Sequence, residues 1–165
     1  MAQAKEEKRR SDLAQILDFA GSRRVLTYVG MALSAVSQLV GFVPYVCIWL
    51  AARDLIAVAP NWQDATDIAA YGWWALVAAV LGIALYFLAL MCTHLAAFRT
   101  ASNMRKQVSE HLMRLPLGYF DTHASGELRR IVDGCAASTE TLLAHMLPDV
   151  AGSLAMIAGM LVILF

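Results

Sequence analysis

The chain has 165 residues; 59% are hydrophobic, only 16% are charged, and the formal net charge is zero. Soluble domains carry about 25% charged residues, so the composition excludes an ordinary soluble globular domain, and the balanced charge implies no nucleic-acid or other polyanionic partner. The charges are also missing in blocks, with no Asp, Glu, Lys or Arg in 25–52, 68–98 or 150–165.

A helix needs roughly 20 apolar residues, rising about 1.5 Å each, to cross a hydrocarbon core of about 30 Å. The first two uncharged runs are long enough and the third is not. The third ends on Leu161-Val162-Ile163-Leu164-Phe165 with no polar flank. A helix ending there would leave unpaired carbonyls in lipid, so the expectation is a helix cut part-way and a longer parent protein.

Residues 1–10 are charged. Ser11 and Asp12 can cap a short helix on which Leu13, Ile16, Leu17 and Ala20 share a face, and Gly21 can end it. These features predict an amphipathic helix on the membrane surface, covering with the tail residues 1–24. No apolar stretch followed by a small-residue cleavage site opens the chain, so the start is not a secretory signal.

The first span is expected at about 25–52. Ser34, Gln38, Gly41, Tyr45 and Trp49 recur on one side of it. An amide at the depth of Gln38 must face protein or water, so the stripe serves either interhelical hydrogen bonding or a substrate cavity; Ser34, Gln38 and Tyr45 are the candidate cavity residues. Pro44 should bend this helix. A connecting loop follows at 53–67, with Asp54, Pro60, Trp62, Asp64 and Asp67. Trp73 and Trp74 suit the interface where the second span begins.

The second span is expected at about 68–98 and continues as a helix to about 115. Met104, Val108, Leu112 and Leu115 keep an apolar stripe beside Arg105, Lys106, Glu110 and Arg114. Pro116 and Gly118 then break the helix. A further helix opens near Ser125-Gly126-Glu127, with apolar residues spaced at three and four. It leads into a third span from about 139, in which Ala151, Ala155 and Gly159 form a small-residue stripe and Pro148 and Asp149 lie near the inner end.

The basic residues set the orientation. Six lie within the first 24 residues, Arg53 alone lies between the first two spans, and six more lie from Arg99 to Arg130. Lys- and Arg-rich short segments stay cytoplasmic, which puts the N-terminus and the 99–140 region inside and the 53–67 loop outside.

Catalytic signatures are missing from the sequence. It has no G-x-x-x-x-G-K-[ST] to cradle a nucleotide phosphate, no H-E-x-x-H and no C-x-x-C. Cys47, Cys92 and Cys135 read as buried free thiols. His94, His111, His123 and His145 are scattered, so no metal ligand set is expected, and no cofactor is assigned to this chain.

The stretch 111–133, HLMRLPLGYFDTHASGELRRIVD, is specific enough to carry a resemblance. With the order of spans, it resembles the transmembrane domain of ABC transporters of the type I exporter fold, an all-α polytopic membrane architecture, here as its N-terminal three-helix part. Leu115, Pro116, Tyr119, Phe120, Asp121, Gly126, Glu127, Leu128, Arg130 and Asp133 match the family pattern. The resemblance implies that 116–138 is a coupling segment. Its coupling helix, with Gly126, Glu127, Leu128, Arg129, Arg130 and Asp133, would dock on a nucleotide-binding domain of the same or a partner subunit. It further implies ATP and Mg2+ for the parent protein, a second transporter half as homodimer or heterodimer, and a bacterial inner membrane. The stretch 140–149, ETLLAHMLPD, is similar to a subgroup linked to siderophore and iron-chelate transport. Two other readings are a two-span receptor or sensor kinase and a small complete membrane protein. The uncharged run 150–165 argues against the first, because a soluble signalling helix would not be apolar all round. The abrupt apolar end argues against the second.

Overall fold

The computed structural model describes the backbone of residues 12–122 and 124–164, without the side chains at 12, 13, 64, 122 and 164. The expectations for the first ten residues, the Ser11 cap, the Leu13 side chain, His123 and Phe165 therefore lie outside the described residues. The described part is all-α: α1 (Asp12–Ala20), a 3₁₀ turn (Gly21–Arg23), α2 (Arg24–Val40), α3 (Val43–Val58), a 3₁₀ turn (Trp62–Asp64), α4 (Ile68–Leu112), α5 (Gly118–Thr122), α6 (Ser125–Thr141), a π-helical turn (Leu142–Met146) and α7 (Leu147–Leu164). Three helical stretches, Ala14–Val58, Ile68–Leu112 and Ser125–Ile163, are long and apolar enough to cross a membrane.

Local chemistry explains where the helices break. Gly21 adopts φ +57°, a left-handed conformation open to glycine, and α1 stops at Ala20 before it. Pro44 stands in the first turn of α3, and the break falls just before it at Gly41–Phe42. Proline has no N–H to bond the carbonyl four residues back and its ring crowds that carbonyl, so the helix is interrupted upstream of Pro44. α4 ends at Leu112, three residues short of the expected end. Pro116 disfavours helical geometry at Leu115, and the chain closes with tighter bonds from Arg114 N to His111 O and from Leu115 N to Leu112 O.

Pro148 is handled differently. It lies inside a continuous helical stretch and leaves the Ala144 carbonyl without its usual N–H donor. The turn just before it is π-helical, a form that absorbs one extra residue. The Thr93 hydroxyl donates to Ala144 O at 3.1 Å in place of the missing N–H.

The chain divides into two compact units. The first joins α1 and the start of α2 to the stretch 91–147. Its core is Leu17, Ala97, Leu143 and Ala144, with Ile16 and Leu147 packed against it. Asn103 Nδ2 donates to Phe19 O at 2.8 Å, which ties α1 to α4. Ala96, Ala97, Thr100 and Ala101 are fully buried, giving α4 a small-residue face that a neighbouring helix can approach closely. Cys135 is exposed rather than buried.

The second unit comprises 30–90 and 148 onward. Here too small residues and hydroxyls hold the helices together. Ser37 donates to Gly82 O at 2.9 Å and Ser34 to Pro148 O at 2.8 Å. A Cβ on Gly159 would lie 3.1 Å from Leu39 and Phe42 side-chain atoms. Leu76, Val77, Val80, Leu81, Ile83 and Phe87 face outward. Water would penalise that surface, and lipid or further apolar helices would not.

Candidate functional site

The residues singled out in the sequence fall into two groups, one in each unit. In the first unit Gly126, Glu127, Leu128, Arg129, Arg130 and Asp133 occupy the opening turns of α6. That helix is continuous rather than a short separate element. It runs 17 residues and continues past Gly134. The short separate helix is α5, one turn between the end of α4 and the start of α6.

These side chains do not all converge. Asp133 Oδ1 accepts from Arg105 Nε at 3.3 Å, and Asp133 Oδ2 is 3.6 Å from Arg129 Nε. A cleft of about 400 Å³ lies between α4, α5 and α6, lined among others by Arg105, Ser109, Phe120, Leu128 and Asp133. Gly126 and Glu127 are exposed outside it, and Arg130 lines a shallower depression with Cys135 and Thr139. The tip is apolar as well as charged: Leu117 is 86% exposed and Met113 78%. Arg105 and Ser109 were not singled out as site residues, because nothing in their spacing says that α4 folds back beside α6.

In the second unit Ser34 and Gln38 do come together. Ser34 is buried on Pro148, and both residues press on Gly152, where an added Cβ would lie 3.0 Å from Ser34 Oγ and from Gln38 Cγ. Tyr45 stands apart, 69% exposed, in an apolar groove with Phe42, Trp49 and Met160. Of the two readings of the polar stripe, interhelical bonding holds for Ser34. Gln38 is half-buried at the same junction.

Pro148 and Asp149 meet partners that their spacing did not reveal. Pro148 meets Ser34, ten residues into the first uncharged run, and Asp149 Oδ1 accepts from Tyr86 Oη at 3.4 Å. A second pairing also escaped the sequence: His94 and His145, 51 positions apart, meet edge to face with centroids 4.8 Å apart. Among the described residues no three His, Cys, Asp or Glu side chains gather as a metal site would require.

The family model for the ABC transporter transmembrane region matches residues 27–165. This chain belongs to that family. It is therefore a multi-pass membrane protein, and the two-span receptor reading is set aside. Among curated proteins, the chain is similar to the mycobactin import ATP-binding/permease protein IrtA of Mycolicibacterium smegmatis, 29% identical over 137 residues, which is 81% of this chain and 15% of that protein. The protein of the same name from Mycobacterium tuberculosis is 32% identical over 72 residues, 44% of this chain and 8% of that protein. The chain thus spans a small fraction of the length of the curated relatives it matches. No solved structure matches significantly. Both residue groups lie on helices that belong to the matched region.

Proposed function

We propose that this chain forms part of the substrate pathway of an ATP-driven transporter, and that the hairpin between α4 and α6 receives the mechanical input. The observation that carries the reading is the tip itself, where the one-turn helix α5 lies between Leu117, 86% exposed, and the charged opening of α6. Exposed apolar side chains rimmed by Arg and Asp suit a protein groove better than water. In this reading the tip is cytoplasmic, as the basic residues from Arg99 to Arg130 suggest, and so is the N-terminus.

In this reading ATP and Mg2+ bind a nucleotide-binding domain rather than these helices. No phosphate-cradling glycine-rich lysine motif occurs in this chain's sequence. A nucleotide-binding domain, on the same or a partner subunit, supplies the energy. The residues of this chain receive its displacement: Leu117 and Phe120 seat in the groove, and Arg129, Arg130 and Glu127 fix the register. The Arg105–Asp133 bond ties α6 to α4, so that the two helices move together. Alternating access, a second transporter half and residence in a bacterial inner membrane complete the proposal. The names of the two relatives favour a siderophore or another small amphipathic molecule as substrate.

The test uses the complete transporter in proteoliposomes. Leu117→Asp and the double reversal Arg129→Glu with Arg130→Glu should each leave ATP hydrolysis running while abolishing its coupling to substrate movement. Transport at the wild-type rate in both variants would remove the hairpin from the coupling role.

A further inference from the structure

Asp149 has no part in the proposed coupling, yet it occupies an expensive position. On α4, its partner Tyr86 lies twelve residues past Trp74 and thirteen before Arg99, or about 18 Å and about 20 Å of helix respectively. Trp73 and Trp74 are exposed, as residues of the interfacial belt are. With a hydrocarbon core of about 30 Å, the Tyr86 hydroxyl lies well inside the layer, and Asp149 is level with it. The Ser34–Pro148 bond places the neighbouring residue against the first uncharged run as well.

A carboxylate at this depth is rare and needs a partner. Tyr86 provides one long hydrogen bond, at 3.4 Å. An ionised carboxylate has about four acceptor positions, so most of its capacity is unused by Tyr86. The side chain is exposed on the surface of its unit, and no Lys or Arg occurs in 25–52, 68–98 or 150–165. Packing also holds the group in place. Pro148 beside it is fully buried, and Gly152, one turn on, lies against Ser34 and Gln38.

We propose that Asp149 and Tyr86 form an acidic site within the membrane that holds the cationic group of an amphipathic molecule. Resting on the transporter reading above, this assigns the chemistry of one point on the substrate pathway. The carboxylate supplies the charge, the Tyr86 hydroxyl orients it, and the surrounding apolar surface takes the lipophilic body.

The experiment uses the complete transporter in lipid nanodiscs with tetraphenylphosphonium as probe. Tetraphenylborate, of the same shape and opposite charge, is the control. The apolar reagent dicyclohexylcarbodiimide modifies carboxyl groups within membranes, and peptide mass analysis reads its adduct on Asp149. Tetraphenylphosphonium should slow that modification, and tetraphenylborate should not. Asp149→Asn should weaken tetraphenylphosphonium binding about tenfold to a hundredfold, the loss expected for one contact to a charged group, and Asp149→Glu should retain it. No adduct, an adduct insensitive to the cation, or equal protection by both ions would overturn the proposal; the first would mean that a basic residue on another helix or the lipid occupies Asp149, and the second that its carboxyl is open but holds no cation. If Asp149→Asn fails to fold, protection in the wild-type protein still decides. ATP-coupled transport without cation protection would remove the site and leave the transporter reading standing, whereas failure of the hairpin variants to uncouple would damage that reading alone.

Discussion

Replacing Thr93 by valine tests how the fold accommodates Pro148. Valine matches threonine in shape and removes one hydroxyl. That hydroxyl donates to the carbonyl of Ala144, which is 1% exposed and whose regular helical donor would be the N–H that Pro148 lacks. Thr93→Val therefore leaves a buried carbonyl without a donor, at a cost of about 1–3 kcal/mol. Thr100 supplies the control. It is equally buried, and its hydroxyl donates to Ala96 O four residues back in the same helix. That carbonyl keeps its backbone bond when the hydroxyl goes, so Thr100→Val should cost about 0.5 kcal/mol or less. Thermal unfolding of the complete transporter in nanodiscs, followed by the protection of Cys92 from an apolar maleimide, would rank the two. Restoring the N–H with Pro148→Ala should make Thr93→Val nearly neutral, a coupling that a double-mutant cycle isolates. Equal losses for Thr93→Val and Thr100→Val, or no coupling to Pro148→Ala, would refute the reasoning.

Gly152→Val should destabilise by about 1–3 kcal/mol through overpacking against Ser34 and Gln38, whereas Gly134→Ala, whose new Cβ meets nothing within 4 Å, should stabilise by up to about 1 kcal/mol; the same melting assay orders them, and a more stable Gly152→Val would contradict the close approach. Ser37→Ala removes the bond to Gly82 O and should cost about 1 kcal/mol. Asp133→Asn breaks ion pairs with Arg105 and Arg129 whose side chains are 41% and 85% exposed. It should change stability by less than about 1 kcal/mol, and the difference should fade in 1 M salt; a large salt-independent loss would show that the pairs are shielded from solvent.

Much of the architecture was legible from residue order, for reasons local to each segment. Uncharged runs marked where lipid is tolerated, Pro116 and Gly118 marked the break after α4, Gly21 marked the end of α1, and the motif from His111 to Asp133 carried the family. These signals act over a few residues or over one helix length. The break near Pro44 was also legible, because a ring without an N–H disturbs the turn before it whatever surrounds the helix.

The register between helices was not legible. Periodicity tells which face of a helix is apolar but not how far it slides along its neighbour, since small apolar residues allow close approach at many offsets. The contacts of Pro148 with Ser34 and of Asp149 with Tyr86 could therefore not be read from residue order. For the same reason the sequence could list His94 and His145 but not bring them to 4.8 Å, and it could not separate α5 from α6 as the isolated short helix. Residue order by itself determined that this chain is a helical membrane protein of a recognisable family. The tertiary structure alone decided which polar groups meet inside it, because those meetings depend on side-chain fit across helices far apart in sequence.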